Sequence, residues 1–203
     1  MIPYSLLKRS LDLIVASVAL LVLSPVFYII IIFVRLNSSG SAFFKQQRFG
    51  KDFKPFQLVK FRSMTMAEDP LQGEFEPGDD RRVTRVGSFL RRTKLDELPE
   101  LFNVLNGNMS IVGPRPEVKK YVRAYSEDFK EILRIRPGLS DYASIKYRDE
   151  EAMLAGQPDP ERYYCKVILP DKLHLARRYL EKMSLRTDMG IIIETVKSIC
   201  ARK

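Results

Sequence analysis

Asp96 and Glu97 stand side by side in the stretch TKLDELPELFNVLNGNMSIVGPRP, residues 93–116, with Pro99 two positions on and Arg115 between two prolines at its end. An ionised carboxylate can attack phosphorus or hold a magnesium ion. Arg91, Arg92 and Lys94 lie just upstream, and Lys60 and Arg62 close an apolar run that reads as a strand. Arginine forks and lysine point charges are the groups that clamp a diphosphate. Two readings of the dyad remain open on spacing alone: a reactive pair of carboxylates, or acidic residues that only cap a helix.

The elements needed to position these groups can be read from pattern. Asp96 suits the N-cap of a helix carrying Leu98, Leu101, Phe102 and Leu105, with Pro99 where no intrahelical N–H is required. A Thr93–Asp96 capping box is the alternative, at the cost of a deeper proline. Either places the carboxylates at the positive end of a helix dipole. Upstream, SAFFKQQRFGKDFKPFQLVKFRSM reads as two short strands around Gly50-Lys51-Asp52, and TRVGSFLRR as an amphipathic helix. Residues 67–80 are acidic, rich in Pro and Gly, and read as a loop. Residues 116–135 and 171–201 each read as helical, the first ended by Arg136-Pro137-Gly138.

The segment from Leu13 to Val34 carries no charge and is about 22 residues long, enough to cross a hydrocarbon core as one helix. Basic residues flank both ends: Lys8 and Arg9 before it, Arg35, Lys45, Arg48 and Lys51 after it. That distribution favours placing both ends on the same, cytoplasmic side. Ser24-Pro25 interrupts the run, because proline removes a helical N–H, while the serine hydroxyl can cover the freed carbonyl. The expected arrangement is an α+β, mostly helical protein. Residues 1–36 form a re-entrant helix–break–helix in the membrane, and residues 37–203 a small cytosolic catalytic domain with a β-hairpin and amphipathic surface helices.

A formal net charge of +9 calls for an anionic partner. Cys165 and Cys200 form no CxxC pair, and the single histidine, His174, excludes a multi-histidine metal site. A tethered module binding anionic lipid or nucleic acid would use the charge, and a bitopic scaffold would use the apolar helix, but neither needs the dyad.

The chain resembles the small monotopic phosphoglycosyl transferases among the bacterial sugar transferases. The resemblance is carried by Lys8-Arg9-x-x-Asp12, Ser24-Pro25, KFRSM at 60–64, LDELPELFNVLNGNMSIVGPRP at 95–116 and RPGLS at 136–140. It implies transfer of a phospho-sugar from a UDP-sugar to polyprenyl (undecaprenyl) phosphate with release of UMP, at the cytoplasmic face of the bacterial inner membrane. This would be the first membrane step of glycoconjugate biosynthesis. Asp96 would be the nucleophile, forming an aspartyl-phosphosugar intermediate, and a ligand of Mg²⁺, with Glu97 assisting. Lys60, Arg91 and Arg115 fall on basic positions around the diphosphate. Arg62 joins them as a substrate-binding candidate, as do Arg148, in place of a family arginine, and Glu161, in place of an aspartate of a family Asp-x-Tyr-Tyr. The partners implied are UDP-sugar, polyprenyl phosphate and the phospholipid membrane, with no nucleic acid; a homodimer is left open. Residues 141–145 and 163–180 depart from the family pattern where sugar or uridine recognition is expected.

Overall fold

The computed structural model describes residues 4–65 and 82–201; the acidic loop expected at 67–80 lies outside them. The long helix α1 (Tyr4–Asn37) has 34 residues, a rise of about 50 Å at 1.5 Å per residue. Helix–break–helix gives way here to one helix with Pro25 inside it. Pro25 cannot donate to the Leu21 carbonyl one turn back, and the Ser24 hydroxyl does so instead, at 2.8 Å. One hydroxyl thus replaces the lost backbone bond at the position where the chain was expected to part.

One side of α1 packs along the rest of the protein from end to end. Near its start, the Tyr4 hydroxyl and the Lys8 ammonium both donate to Asp188 (2.9 and 2.8 Å), and the Arg9 guanidinium donates to the carbonyls of Val104 and Leu105. Buried Asp12 accepts from the Ser110 hydroxyl and the Ile111 N–H (2.8 and 3.1 Å). Further along, Ala16, Phe27, Ile30 and Val34 are buried, and the Phe27 ring meets Phe61 and Phe102 at 5.2 and 5.8 Å. The opposite side leaves Ile14, Val18, Leu21, Val22, Tyr28, Ile29, Ile32, Phe33 and Leu36 exposed. An apolar surface of that extent has the length and composition of a membrane-seeking helix.

The expected hairpin is present: β1 (Phe43–Phe49) pairs antiparallel with β2 (Pro55–Phe61), Phe44 opposite Lys60. Its turn is a 3-10 segment, Lys51–Phe53, with Asp52 and Phe53 both at positive φ. The Asp52 N–H donates to the Leu133 carbonyl at 2.7 Å, which ties the turn to the rest of the fold. Helix α2 (Arg85–Thr93) starts at Thr84, whose hydroxyl caps the Gly87 N–H at 2.9 Å. A Cβ at Gly87 would lie 1.8 Å from the Ser63 carbonyl oxygen, so only glycine lets α2 sit this close to the chain leaving β2.

Helix α3 is shorter than the pattern suggested, Glu100–Leu105. It is followed by β3 (Ser110–Val112), which pairs in parallel with β4 (Gly138–Ser140), a pairing the sequence did not announce. The pair depends on Gly138, where a Cβ would lie 2.1 Å from the Gly113 nitrogen. Between them the single helix expected at 116–135 is two, α4 (Lys119–Ala124) and α5 (Ser126–Ile132), separated at Tyr125 (φ −119°, ψ 38°). The Tyr125 hydroxyl donates to the Cys165 carbonyl at 3.0 Å. Short helices α6 (Tyr142–Lys146), α7 (Glu150–Ala155) and α8 (Pro160–Tyr163) follow. A π-helical turn, Tyr164–Ile168, then leads into α9 (Leu169–Glu181), where His174 is exposed. The last helix, α10 (Leu185–Cys200), has its own cap at Ser184, so the helical region expected at 171–201 consists of two helices.

Buried Asn103 on α3 joins that helix to the hairpin: its side chain accepts the Val59 N–H (3.0 Å) and donates to the Gln57 carbonyl (2.7 Å). Asn103→Ala leaves both strand groups unpaired, at roughly 1–3 kcal/mol each. Denaturant unfolding of the detergent-solubilised variant is expected to show a loss of about thirtyfold or more in the folded-to-unfolded ratio, and an unchanged midpoint would refute this role.

Candidate active site

Four segments converge on Asp96 and Glu97. Lys60 comes from β2, the two acids from a 3-10 turn (Leu95–Glu97), Glu100 from the first position of α3, and Arg115 from the loop after β3. The 3-10 turn opens at Lys94, whose left-handed conformation (φ 58°) ends α2 and reverses the chain. Asp96 is therefore not an N-cap: that place is Pro99, and α3 is too short for its dipole to account for the dyad.

Glu97 is the most constrained side chain of the group. The Lys60 ammonium donates to its Oε1 at 2.9 Å, and the Arg115 guanidinium engages both oxygens, the Nη1–Oε2 distance being 3.2 Å. Burial alone would raise the Glu97 carboxyl, but Arg115 and Lys60 override it and hold it well below the ordinary carboxylate range. Arg115 and Lys60 are likewise disfavoured as cations by burial, yet Glu97 and Glu100 hold both above their usual values.

Asp96 differs sharply from its neighbour. It is buried, its Oδ1 has no hydrogen-bond partner, and burial raises its carboxyl against the opposing pull of Lys60. An unpaired buried carboxylate oxygen among cations is an open position for an electrophile or a cation. Among the described residues, no three or more His, Cys, Asp or Glu side chains cluster as a metal cage. The donor set instead suits Mg²⁺, which commonly takes one or two carboxylates and completes its shell with phosphate oxygens and water.

Arg115 owes its place to Asp141. Gly113 donates to the Ser140 carbonyl (3.0 Å), and the next turn of chain places the Arg115 N–H on Asp141 Oδ2 (3.1 Å). The other Asp141 oxygen caps α6 through the Ser144 N–H at 2.6 Å. Asp141, in the stretch where the sequence departs from the family and sugar contacts were expected, thus holds the backbone of Arg115 while Ser144 holds Asp141.

The remaining candidates have other partners. Arg62 is buried with its guanidinium on the carbonyls of Ser38 and Ser39 (2.7 and 2.6 Å), closing the chain that leaves α1. Arg91, in the last turn of α2, donates to the Ser63 hydroxyl (3.0 Å) and pairs with Glu151 (3.1 Å). Arg148 lies against Ser198 and Ile199 at the end of α10, and half-exposed Glu161 pairs with Lys120. Of the residues read from sequence, Lys60, Asp96, Glu97 and Arg115 come together.

Glu100 was missed. It is 1% exposed, both its oxygens lack hydrogen bonds, and Lys60 Nζ stands 3.4 Å from Oε1. Its signal in the sequence was spacing: positions three and four after Glu97 and Asp96 share a face once the chain turns helically. Burial pushes its carboxyl up to about 7, against the pull of Lys60. The folded value exceeds the ordinary 4.5, so the folded protein binds the proton more tightly, and stability declines as pH rises from 4.5 through 7. The decline is on the order of a few kcal/mol. Glu100→Gln is expected to flatten that part of the stability profile and to be the more stable protein at pH 8, as read by denaturant unfolding; parallel profiles would contradict it.

Comparison with known proteins places the chain in a family. The profile of the family described as bacterial sugar transferase matches residues 3–202. The UDP-glucose:undecaprenyl-phosphate glucose-1-phosphate transferase of Escherichia coli (strain K12) is 43% identical over 147 residues, 69% of this chain and 31% of that protein. The UDP-N-acetylgalactosamine-undecaprenyl-phosphate N-acetylgalactosaminephosphotransferase of Aeromonas hydrophila is 32% identical over 199 residues, 97% of this chain and 44% of that protein. Exopolysaccharide production protein ExoY of Rhizobium meliloti (strain 1021) is 33% identical over 208 residues, 95% of this chain and 85% of that protein. The chain spans a third to a half of the first two and most of ExoY. A match that begins before α1 and runs to the end of α10 takes in the apolar helix and the acidic dyad together: the chain belongs to the bacterial sugar transferase family.

Proposed function

We propose that the protein transfers a phospho-sugar from a UDP-sugar to polyprenyl phosphate, releasing UMP, with Asp96 as nucleophile. The observation that carries this reading is the contrast within the dyad: Glu97 is held at both oxygens by Lys60 and Arg115, whereas Asp96 keeps an unpartnered oxygen. The relatives named for two different sugars, glucose and N-acetylgalactosamine, support a UDP-sugar as the substrate class.

The chemistry follows from the charges. An Asp96 oxygen attacks the phosphorus bonded to the sugar, and the bond from that phosphorus to the bridging oxygen breaks, so UMP leaves with the electron pair. A phosphate oxygen of the lipid then attacks the same phosphorus. The aspartyl bond breaks, restoring the carboxylate and giving a polyprenyl-diphosphate sugar. Two steps keep the two polyanionic substrates from meeting directly. Lys60 and Arg115 lie within reach of charge on the transferring group, where fixed cations stabilise it. Asp96 would hold Mg²⁺ together with the diphosphate, and the ion would supply further charge neutralisation when bound. Asp96→Asn removes the nucleophile and preserves shape. With labelled UDP-sugar and no acceptor, the unaltered protein is expected to release UMP and retain label, whereas the variant does neither. Turnover above a few per cent in the variant, with deamidation excluded, would remove Asp96 from this role.

The apolar helix fits a placement with both of its ends on the cytoplasmic face of the inner membrane, the side that supplies UDP-sugars. Support comes from its two ends. Tyr4 and Lys8 are tied to Asp188, and the Asn37 side chain at the other end accepts the Val86 N–H, so both ends rest on one polar domain. The outward apolar side would then enter one leaflet. Cysteines at Ser5 and Ser39, in a chain lacking Cys165 and Cys200, are expected to resist an impermeant thiol reagent from the periplasm and to react once the inner membrane is opened. Periplasmic labelling at Ser5 would mean a spanning helix.

A further inference from the structure

Glu100 has no part in the reaction just described, and the fold gains nothing obvious from it. A carboxylate with 1% exposure and no hydrogen bond on either oxygen is costly to bury, and a neutral side chain of like shape would be expected to do as well or better. What Glu100 touches is Lys60. The lysine's ammonium lies 2.9 Å from Glu97 and 3.4 Å from Glu100, on the carboxylates flanking the first turn of α3. Glu97 is also engaged by Arg115, so it has two cations and Lys60 has two anions.

We propose that Glu100 is a positioning residue that anchors Lys60 at the site as its second counter-ion, keeping the ammonium in place when Glu97 turns to substrate. The proposal rests on the phosphoglycosyl transfer reading for its purpose, but not for its geometry. Without Glu100, the one carboxylate among the described residues still within ion-pair distance of Lys60 is Glu97, the partner it must release. An incoming diphosphate or lipid phosphate would then draw a flexible four-carbon side chain out of the site, or find it locked onto Glu97. With Glu100 behind it, Lys60 exchanges one partner while retaining the other. The charged groups facing Lys60 are Glu97 and Asp96 of the 3-10 turn, Glu100 of α3 and Arg115 of the loop after β3. The two glutamates overcome burial and hold the lysine above its usual value.

Two measurements on the full-length protein test this. In the first, without substrate, competitive acetylation followed by mass spectrometry gives the pH at which the Lys60 amine becomes reactive. Glu100→Gln should lower that midpoint by about one unit, a roughly tenfold gain in amine reactivity at fixed pH. Glu100→Asp, which keeps the charge on a shorter arm, should fall between the two, and serves alone if the glutamine variant does not fold. In the second, UMP release should show kcat reduced about tenfold in Glu100→Gln, KM for the UDP-sugar changed less than twofold, and partial recovery in Glu100→Asp. An unshifted Lys60 midpoint in the folded variants overturns the proposal, as does a shifted midpoint with undiminished kcat. If Lys60 shifts but the unaltered protein releases no UMP from any UDP-sugar, the anchoring stands and the reaction assigned to the site fails.

Discussion

The hold of Lys60 and Arg115 on Glu97 is the constraint around which the site is arranged. Three buried or half-buried charges from three separate segments must meet within hydrogen-bond distance, and a buried ion left unpaired would cost several kcal/mol. The hairpin brings the lysine, the parallel β3–β4 pair brings the arginine, and the 3-10 turn brings the glutamate. Misplacing Glu97 would take an anion from both cations, and misplacing either cation would leave Glu97 with a single partner. This explains why so much neighbouring structure consists of close backbone approaches, at Gly87 and Gly138, and of side chains spent on backbone groups, as with Asn103 and Asp141.

The same constraint gives the two acids of the dyad different characters. Glu97 is so strongly compensated by Arg115 and Lys60 that it stays ionised far below neutral pH. Asp96, one residue away, receives less of that compensation and retains an open oxygen. Adjacent carboxylates in one buried site repel, and the fold answers by assigning nearly all the local positive charge to one of them. The more basic carboxylate is then the one with an unpartnered oxygen.

Residue type and spacing made the centre of this arrangement legible, and little beyond it. Asp96-Glu97 with Lys60 and Arg115 could be assembled from sequence because the chemistry of a diphosphate demands acids and fixed cations. The hairpin and the apolar helix followed from period and length. Arg62 could not be told from Lys60 by type, since both end the same strand; alternation sends them to the same side, but the Ser38 and Ser39 carbonyls that claim Arg62 lie across a tertiary contact. Arg148 and Glu161 were read by position relative to the family, and their partners are set by how α10 and α4 pack. Apolar periodicity over 116–135 was continuous, yet the helix divides at Tyr125, whose side chain is drawn to the Cys165 carbonyl. Glu100 was hidden for the opposite reason: one more glutamate in a first helical turn looks like surface, and its spacing from the dyad gains meaning once its burial is seen.

The motif at the start of α1 shows how far the site's requirements extend. Lys8, Arg9 and Asp12 stand on one side of the helix at spacings of four and three, and each grips a different element. Lys8 reaches α10 through Asp188. Arg9 donates to carbonyls at the C-terminal end of α3, groups that a helix cannot satisfy internally. Asp12 accepts from the first residues of β3. Helix α3 begins with Glu100, next to the dyad, and β3 leads directly into the loop that carries Arg115. The helix with the apolar outer side is therefore bolted to the two elements that set the height and orientation of the acids. A link of this kind fixes the distance between the apolar outer side of α1 and the Asp96 carboxylate, because neither can shift without breaking the contacts that Arg9 and Asp12 make to α3 and β3.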